Sequence, residues 1–257
     1  MFHKARDIVR TQGLPALARR SIAYAYRRGV RPYLPSREPV RYAGIPICHD
    51  RKLGDHLVPT SWVPEEATDQ PGYEATLIAG LIETIRPGDS VVVVGGGLGV
   101  TAVVAALHAG PSGTVQCFEG SKQHVRLAQQ TATRNRLFNI SIHHAVVAKS
   151  VAVYGSASDV GAVLPASELP PCDVLQLDCE GAEVEILRSL TIDPRVVLLE
   201  THGLFGAPTV LVASLLEKLG YVVSHRGVAE PRVFAHCTKN DIQVLLGIKQ
   251  NSDATIN

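Results

Sequence analysis

A run of valines followed by closely spaced glycines is the part of this 257-residue chain best suited to bind a ligand. Residues 91–94 are all valine, which is typical of a strand covered on both faces of a parallel sheet. Gly95, Gly97 and Gly99 follow, and they allow a tight turn into the apolar helix predicted over 101–108. The amide groups at the start of this helix would face a nucleotide ligand.

The spacing of the glycines distinguishes between two nucleotide cofactors. Gly95-x-Gly97-x-Gly99 matches the pattern of class I S-adenosylmethionine (SAM) methyltransferases, whereas a dinucleotide fingerprint needs a glycine where Val100 stands. The next predicted strand ends in Glu119, whose carboxylate could accept hydrogen bonds from both ribose hydroxyls. We therefore predict SAM as the cofactor, with Gly95, Gly97, Gly99 and Glu119 as binding residues.

Two later strands also end in residues that could do chemistry. The strand predicted over 173–178 ends in Asp178, with Glu180 just beyond it, and His202 follows the strand predicted over 195–201. Ligands of open α/β sheets bind at the carboxyl ends of the strands. Methyl transfer is an in-line displacement that needs an aligned acceptor, and a hydroxyl acceptor also needs a base. We predict Asp178, His202 and Glu180 as catalytic residues, with Asp178 also contacting the cofactor.

These residues also have simpler interpretations. Asp178 and Glu180 could cap the helix predicted over 181–190, and His202 could be a satisfied loop histidine. Asp178, Glu180, Glu200 and His202 could instead hold Mg²⁺, because hard oxygen ligands at strand ends suit that ion. No spacing motif fixes such ligands, so we predict no metal site. We interpret Glu183, Glu185 and Arg188 as solvated pairs on a helix surface.

A longer stretch resembles a known family. Residues 175–187, which read LQLDCEGAEVEIL, are similar to the D-x-E-G-A-E signature of FkbM-family methyltransferases, and residues 86–89 and 240–242 match that family too. The resemblance covers roughly residues 73–248. It implies SAM-dependent O-methylation, commonly of sugar, glycolipid or polyketide hydroxyls. Three positions depart from the family pattern: Val93 replaces an acid, Gly97 an asparagine and Gln176 a basic residue.

The order of predicted elements indicates an α/β fold. From residue 73 onward helices and strands alternate, which predicts a doubly wound, Rossmann-like sheet with the seven strands of class I methyltransferases. The predicted strands are 90–95, 114–119, 140–147, 173–178 and 195–201, followed by apolar runs near 221–226, 232–237 and 241–248. The predicted helices are 73–86, 99–109, 121–136, 181–190 and 208–219. The last runs are close enough in sequence to form a C-terminal antiparallel hairpin.

The N-terminal part differs in composition from the rest. Residues 1–37 carry nine lysines or arginines and one acid, although the net charge of the whole chain is only +1. Leu17, Ser21 or Ile22, and Ala25 recur at helical spacing, which predicts a basic amphipathic helix. Frequent prolines up to residue 72 favour short strands and turns. We predict an arm and connector or lid over 1–72 and a methyltransferase domain over 73–257.

Composition limits the class of protein and its partners. The chain is 46% hydrophobic and 19% charged, which is typical of globular proteins. Five cysteines without a C-x-x-C pair predict reduced core thiols, and no secretory signal is evident, so we expect a cytoplasmic protein. We expect a small-molecule or lipid-linked glycan acceptor and no nucleic acid. The arm, residues 1–37, would either cover the SAM pocket or contact an anionic membrane at the inner face.

Two other functions compete with methyl transfer. An NAD-dependent oxidoreductase is disfavoured by Val100 and by the lack of a Tyr-x-x-x-Lys pair on a predicted helix. A noncatalytic binding module would keep the methyltransferase fold, while Val93 and Gly97 would have removed productive SAM binding.

Overall fold

The computed structural model describes residues 9–148 and 161–250. Their contacts divide them into two compact units. The smaller unit consists of His49–Asp69 and the described part of Met1–Arg41. The larger consists of Tyr42–Cys48 and the described part of Gln70–Asn257. No helix among the described residues is long and apolar enough to cross a membrane.

The predicted N-terminal helix is present, and Tyr26 determines which of its faces is buried. Helix α1 spans Leu14–Ala25 and continues as a π-helical turn over Tyr26–Val30. Ala23 and Tyr26 are buried, whereas Ile22 is 50% exposed, so the helix packs through residues outside the apolar set whose spacing predicted it. The reason is Tyr26, whose ring lies near Trp62 and whose hydroxyl donates a hydrogen bond to Asp55. An aromatic ring with a satisfied hydroxyl stabilises burial more than a small apolar side chain does.

Asp55 organises the turn that follows α1. The guanidinium of Arg31 donates two hydrogen bonds of 2.9 Å to its carboxylate, and the hydroxyl of Tyr26 donates a third. Burial raises the pKa of Asp55, but these hydrogen bonds outweigh burial and lower it. Strands β1 (Ser36–Tyr42) and β2 (Ile45–Lys52) come next and pair as a two-stranded sheet. The prediction of short strands and turns in this proline-rich region is confirmed.

The larger unit is built on an eight-stranded sheet in the order β6-β5-β4-β3-β7-β8-β10-β9. Its strands are β3 (Ser90–Val94), β4 (Thr114–Glu119), β5 (Ile140–Val147), β6 (Ala162–Leu164), β7 (Val174–Leu177), β8 (Val196–Glu200), β9 (Tyr221–Val228) and β10 (Gln243–Lys249). Its helices are α2 (Ala75–Thr84), α3 (Val100–Ala109), α4 (Lys122–Arg134), α5 (Glu183–Ser189), α6 (Thr209–Lys218) and α7 (Phe234–Asn240). The predicted α/β fold is confirmed, with β6 as an additional short edge strand.

Side chains of the central strands pack on both faces of the sheet, which explains their near-continuous apolar sequences. Val197 and Leu199 of β8 belong to the core cluster that also contains residues of α5 and α6. Leu198 faces the other way, against α2, where a Cβ on Gly80 would come within 2.7 Å of its side chain. Strands β3 to β8 run parallel, and β10 is antiparallel to both β8 and β9. The antiparallel C-terminal pair is therefore confirmed.

One predicted strand is wrong. Residues 232–237 were expected to be extended, but Pro231–Val233 form a 3₁₀ turn and the chain continues as helix α7. Pro231 lacks an amide hydrogen and has a fixed φ, so it suits the first position of a helical turn. Val233 and Phe234 are exposed and Cys237 is buried, so the apolar residues do not alternate as a strand requires. All five cysteines are free thiols, as predicted.

The ends of β3 and β7 approach each other closely at Gly95. The amide of Asp178 donates a 2.9 Å hydrogen bond to the carbonyl oxygen of Val94. A Cβ on Gly95, whose φ is +91°, would lie 1.6 Å from the carbonyl oxygen of Asp178. Only glycine allows this approach, so Gly95 fixes the relative position of the glycine loop and the acidic end of β7.

We expect Gly95→Ala to destabilise the protein much more than Gly97→Ala. Both glycines have positive φ, which costs a non-glycine residue about 1–2 kcal/mol. A Cβ on Gly97 meets nothing closer than the Tyr73 hydroxyl at 3.9 Å, whereas on Gly95 it collides with backbone. The free energy of unfolding, measured in urea, should fall by about 1–2 kcal/mol for Gly97→Ala and by roughly 3 kcal/mol or more for Gly95→Ala. Equal losses would contradict the proposed backbone contact.

Candidate functional site

The glycine loop after β3 borders a cavity of about 320 Å³ at the carboxyl end of the sheet. The loop turns tightly, because the amide of Gly99 donates a 2.7 Å hydrogen bond to the carbonyl oxygen of Gly96. The cavity is lined by Tyr73, Glu74, Gly95, Gly97, Leu98, Glu119, His124, Asp178 and Glu180. Five residues predicted for the site, at positions 95, 97, 119, 178 and 180, therefore surround one space.

Glu119, at the end of β4, holds the glycine loop in place. It is 3% exposed, and one carboxylate oxygen accepts a 2.8 Å hydrogen bond from the amide of Gly97. The other oxygen accepts a 2.7 Å hydrogen bond from the amide of Ser121. A carboxylate has about four lone-pair sites, so two remain for a ligand in the cavity.

Gly97 and Gly99, the other two predicted glycines of the loop, differ in their surroundings. Gly97 faces the cavity, since its added Cβ would enter open space. Gly99 begins helix α3 with φ +83°, and its added Cβ would lie 2.9 Å from the Cα of Ala128 on α4. Gly99 thus allows two helices to pack closely, and it is not among the residues that line the cavity.

A strained turn carries the acids of the D-x-E-G stretch to the cavity. Asp178 follows β7 directly, and Glu180 adopts a left-handed conformation with φ 53°. Gly181 has φ +99°, and a Cβ there would lie 2.6 Å from the carbonyl oxygen of Phe205. Non-glycine residues with positive φ are uncommon, and they often occur at functional sites. Glu74, which also lines the cavity, is another such residue, with φ 42°.

His202 lies next to this turn and is 4% exposed. Its Nδ1 is 2.9 Å from Oε1 of Glu183, the first residue of α5, which is fully buried. Its Nε2 faces three other carboxylates, at 3.5 Å from Asp178, 3.7 Å from Glu200 and 3.9 Å from Glu180. The structure thus brings together all three predicted catalytic residues, in a cluster that also includes Glu200.

Three residues of the site were not predicted from the sequence. Glu183 was interpreted as part of a solvated helix pair, and this interpretation is wrong because its side chain is buried against His202 and the amide of Cys179. Tyr73 and Glu74 line the cavity from the start of α2. In the sequence, these two residues are marked only as polar side chains that come just before an apolar helix. This arrangement is too common to indicate a site.

Burial and mutual repulsion shift the pKa values of the cluster. Burial raises the pKa of Asp178 to about 6, although the charge of His202 lowers it. Burial and the charge of Asp178 raise the pKa of Glu74 to about 8. Burial, then Asp178 and Glu74, also raise the pKa of Glu200. The pKa of His202 is lowered by burial, but its hydrogen bond to Glu183 and the charge of Asp178 raise it to about 9. The cluster therefore attracts positive charge.

Two kinds of ligand match these residues. The glycine loop, Glu119 and the acids around the cavity could hold a nucleotide-like cofactor that carries positive charge. Asp178, Glu200 and His202 each offer one ligand atom, and these three atoms lie within 4.8 Å of one another, as a metal ion would require.

Comparison with known proteins shows the fold. No protein-family model and no curated protein sequence matches the chain. A dimethyladenosine transferase from Plasmodium falciparum has a similar structure, with a TM-score of 0.50 and 15% identity over 70% of this chain and 62% of that one.

Two further solved structures have lower TM-scores. A precorrin-6y C5,15-methyltransferase from Geobacter metallireducens gives 0.47, with 14% identity over 73% of this chain and 93% of that one. A SAM-dependent O-methyltransferase from Thermotoga maritima gives 0.46, with 14% identity over 71% and 67%. Taken with the strand order, the similarity to the Plasmodium structure shows that the chain has the Rossmann-like fold of class I methyltransferases.

Proposed function

We propose that the protein is a SAM-dependent methyltransferase that binds its cofactor in the cavity at the glycine loop. The observation that supports this proposal best is the charge of the cavity. Four of its lining residues are acids, at positions 74, 119, 178 and 180, and none is lysine or arginine among the lining residues that the structure describes. SAM carries a sulfonium and an ammonium group besides one carboxylate, so its net charge is positive and its two cationic groups match these acids.

The same charges disfavour a dinucleotide. A pyrophosphate bound at the start of α3 would bring two negative charges next to Asp178 and Glu180, and like charges that are partly buried repel each other. Val100 also stands where a dinucleotide fingerprint has a glycine. An NAD-dependent oxidoreductase is therefore the weaker proposal.

In the proposed arrangement, Gly95 and Gly97 allow close approach of the cofactor and Glu119 binds its ribose. Asp178 and Glu180 lie beside the reactive sulfonium, with His202 behind them. The acceptor oxygen attacks the methyl carbon as the carbon–sulfur bond breaks, and the electron pair of that bond goes to sulfur. The hydroxyl proton passes to a carboxylate of the cluster, Asp178 or Glu180.

We further propose O-methylation of a sugar or glycolipid hydroxyl, as the resemblance to the FkbM family implies. The two departures from the family pattern within the sheet support the resemblance rather than weaken it. Val93 and Gln176 pair directly between β3 and β7, and both are fully buried. The pattern has an acid at the first position and a basic residue at the second, so this chain has replaced both members of a buried pair. Replacing both is often neutral, whereas losing one costs about 3–5 kcal/mol.

The basic arm suggests where the acceptor is found. Arg27 and Arg31 donate hydrogen bonds within the smaller unit, to the carbonyl oxygens of residues 61 and 62 and to Asp55. Arg19, Arg20 and Arg28 are exposed, as are apolar residues Leu14, Ile22 and Tyr24. We propose that this face of α1 contacts an anionic membrane that carries a lipid-linked glycan. Five free thiols suit a reducing compartment such as the cytoplasm.

Glu119→Gln should weaken SAM binding by about tenfold or more, because hydrogen bonds to a charged group contribute about 1.5–3 kcal/mol. Isothermal titration calorimetry of purified protein with SAM measures this directly. Glu217→Gln is the matched control, since Glu217 is an exposed acid on α6 and its variant should bind like the parent. NAD should give no heat of binding. Binding of NAD with no binding of SAM would refute the proposed cofactor.

Asp178→Asn should lower kcat for methyl transfer by about 10² or more while the Kd for SAM changes by only a few-fold. The reason is that the carboxylate faces the acceptor side of the cavity, next to Glu180 and His202. Transfer of a tritiated methyl group to a panel of sugars and glycolipids gives kcat. Loss of SAM affinity as large as the loss of kcat would indicate a structural role. SAM binding without transfer to any acceptor in the parent would favour a noncatalytic module.

The membrane proposal predicts cosedimentation of the full-length protein with anionic vesicles at low salt and not with neutral vesicles. Each basic residue near an anionic bilayer contributes about 1 kcal/mol. The triple change R19E/R20E/R28E should therefore weaken binding by at least about a hundredfold. A matched control reverses three exposed charges of the larger unit, at Lys122, Arg126 and Arg136. Equal weakening by both triple changes, or no pelleting of the parent, would exclude the arm as a membrane contact.

A further inference from the structure

The imidazole of His202 is oriented as metal-binding histidines are. Nδ1 lies 2.9 Å from a fully buried carboxylate oxygen of Glu183 and donates its hydrogen there. With Nδ1 held in this way, a cation that displaces the proton of Nε2 would bind the lone pair on the other side of the ring. Histidines that bind metals generally donate their second ring hydrogen to a carboxylate or a carbonyl group, which fixes the tautomer and the ring orientation.

The carboxylates in front of Nε2 are too far away for hydrogen bonds. Asp178 lies at 3.5 Å and Glu200 at 3.7 Å, whereas charge-assisted hydrogen bonds are about 2.7–2.9 Å long. Two ligands that bind one cation at about 2.1 Å each are roughly 3.0–3.5 Å apart. The two separations from Nε2 are therefore close to those around a bound cation, and all three ligand atoms lie within 4.8 Å of one another.

Glu200 provides an independent observation. It is 9% exposed, and its carboxylate has no hydrogen-bond partner among the residues that the structure describes. A buried carboxylate without a hydrogen bond costs several kcal/mol unless a cation compensates it. The basic nitrogen beside it is the same Nε2, at 3.7 Å. Glu200 thus points to a ligand that the protein itself does not supply.

We propose that Asp178, Glu200 and His202 bind one divalent cation at the edge of the SAM cavity, with Glu183 orienting the histidine. One carboxylate comes from the end of β7 and the other from the end of β8, and the imidazole follows β8 two residues later. Parallel neighbouring strands bring these positions together, although no short spacing motif marks them in the sequence. Glu180, at 3.9 Å from Nε2, remains outside this set.

The ligand set favours a cation of intermediate hardness. Two carboxylates and one imidazole suit Mn²⁺, because carboxylates suit Mg²⁺, Ca²⁺ and Mn²⁺ while imidazole suits transition metals. Three protein ligands leave coordination positions for water or for an acceptor. The role of the cation in catalysis rests on the proposed function. In methyl transfer it would bind the acceptor hydroxyl and lower its pKa, and Glu180 would receive the proton. The cation site itself does not depend on methyl transfer.

Binding of Mn²⁺ to the full-length, tag-free protein without SAM tests the site. Titration after EDTA treatment, followed by the loss of the free Mn²⁺ signal in electron paramagnetic resonance, should show one ion per chain. Pulsed electron paramagnetic resonance of the bound Mn²⁺ should show hyperfine coupling to ¹⁴N of one imidazole. His202→Gln should abolish that coupling. Glu200→Gln should weaken Mn²⁺ binding by at least about tenfold, and Glu183→Gln by about 10–100-fold through the histidine.

Glu185→Gln is the matched control, because Glu185 lies on the same helix as Glu183 but is exposed. It should bind Mn²⁺ like the parent, and circular dichroism checks that each variant is folded. No binding by the parent, binding without ¹⁴N coupling, or equal affinity of the parent and Glu200→Gln would each overturn the proposal. Because SAM is absent throughout, failure of methyl transfer would not be confused with failure of this site.

Discussion

The approach of the β3 backbone to the β7 backbone at Gly95 is the constraint on which the site depends. Without a side chain at this position, the carbonyl oxygen of Asp178 can lie against the Cα of Gly95. The glycine loop therefore begins beside the acidic end of β7. Glu119 joins the loop to β4, and His202 connects the end of β8 to the start of α5 through Glu183. The cavity and the carboxylate cluster consequently share Asp178.

A cluster of buried carboxylates is costly, and this cost limits the ligands that the site can serve. Removing an ionised group from water costs several kcal/mol even after the protein relaxes. Glu183 is compensated by His202 and the amide of Cys179, and Glu119 by two backbone amides. Glu74 and Glu200 have raised pKa values because burial and neighbouring acids act on them. A positively charged ligand would relieve this repulsion, whether it is a sulfonium cofactor at the loop or a dication at His202.

The sequence predicts the parts of the site that follow from sheet geometry. Gly95, Glu119 and Asp178 stand at the ends of strands, and parallel strands bring their carboxyl ends to one edge. Glu183 could not be predicted, because its burial results from β8 placing His202 over the first turn of α5. The burial of Ala23 and Tyr26 could not be predicted either, because the rotation of α1 is set by Tyr26 and its distant partner Asp55. In both cases the deciding contact joins residues far apart in sequence.

The pairing of Val93 with Gln176 limits how this sheet can change over time. The two positions are adjacent across β3 and β7, and both the nitrogen and the oxygen of the Gln176 side-chain amide lack a partner in the described structure. An acid introduced at either position alone would be a single buried charge, which a marginally stable domain tolerates poorly. A charged pair at these two positions would therefore require two changes at once, with a destabilised intermediate between them. The acids that line the cavity, such as Glu74 and Glu180, can change one at a time without placing a charge inside the sheet.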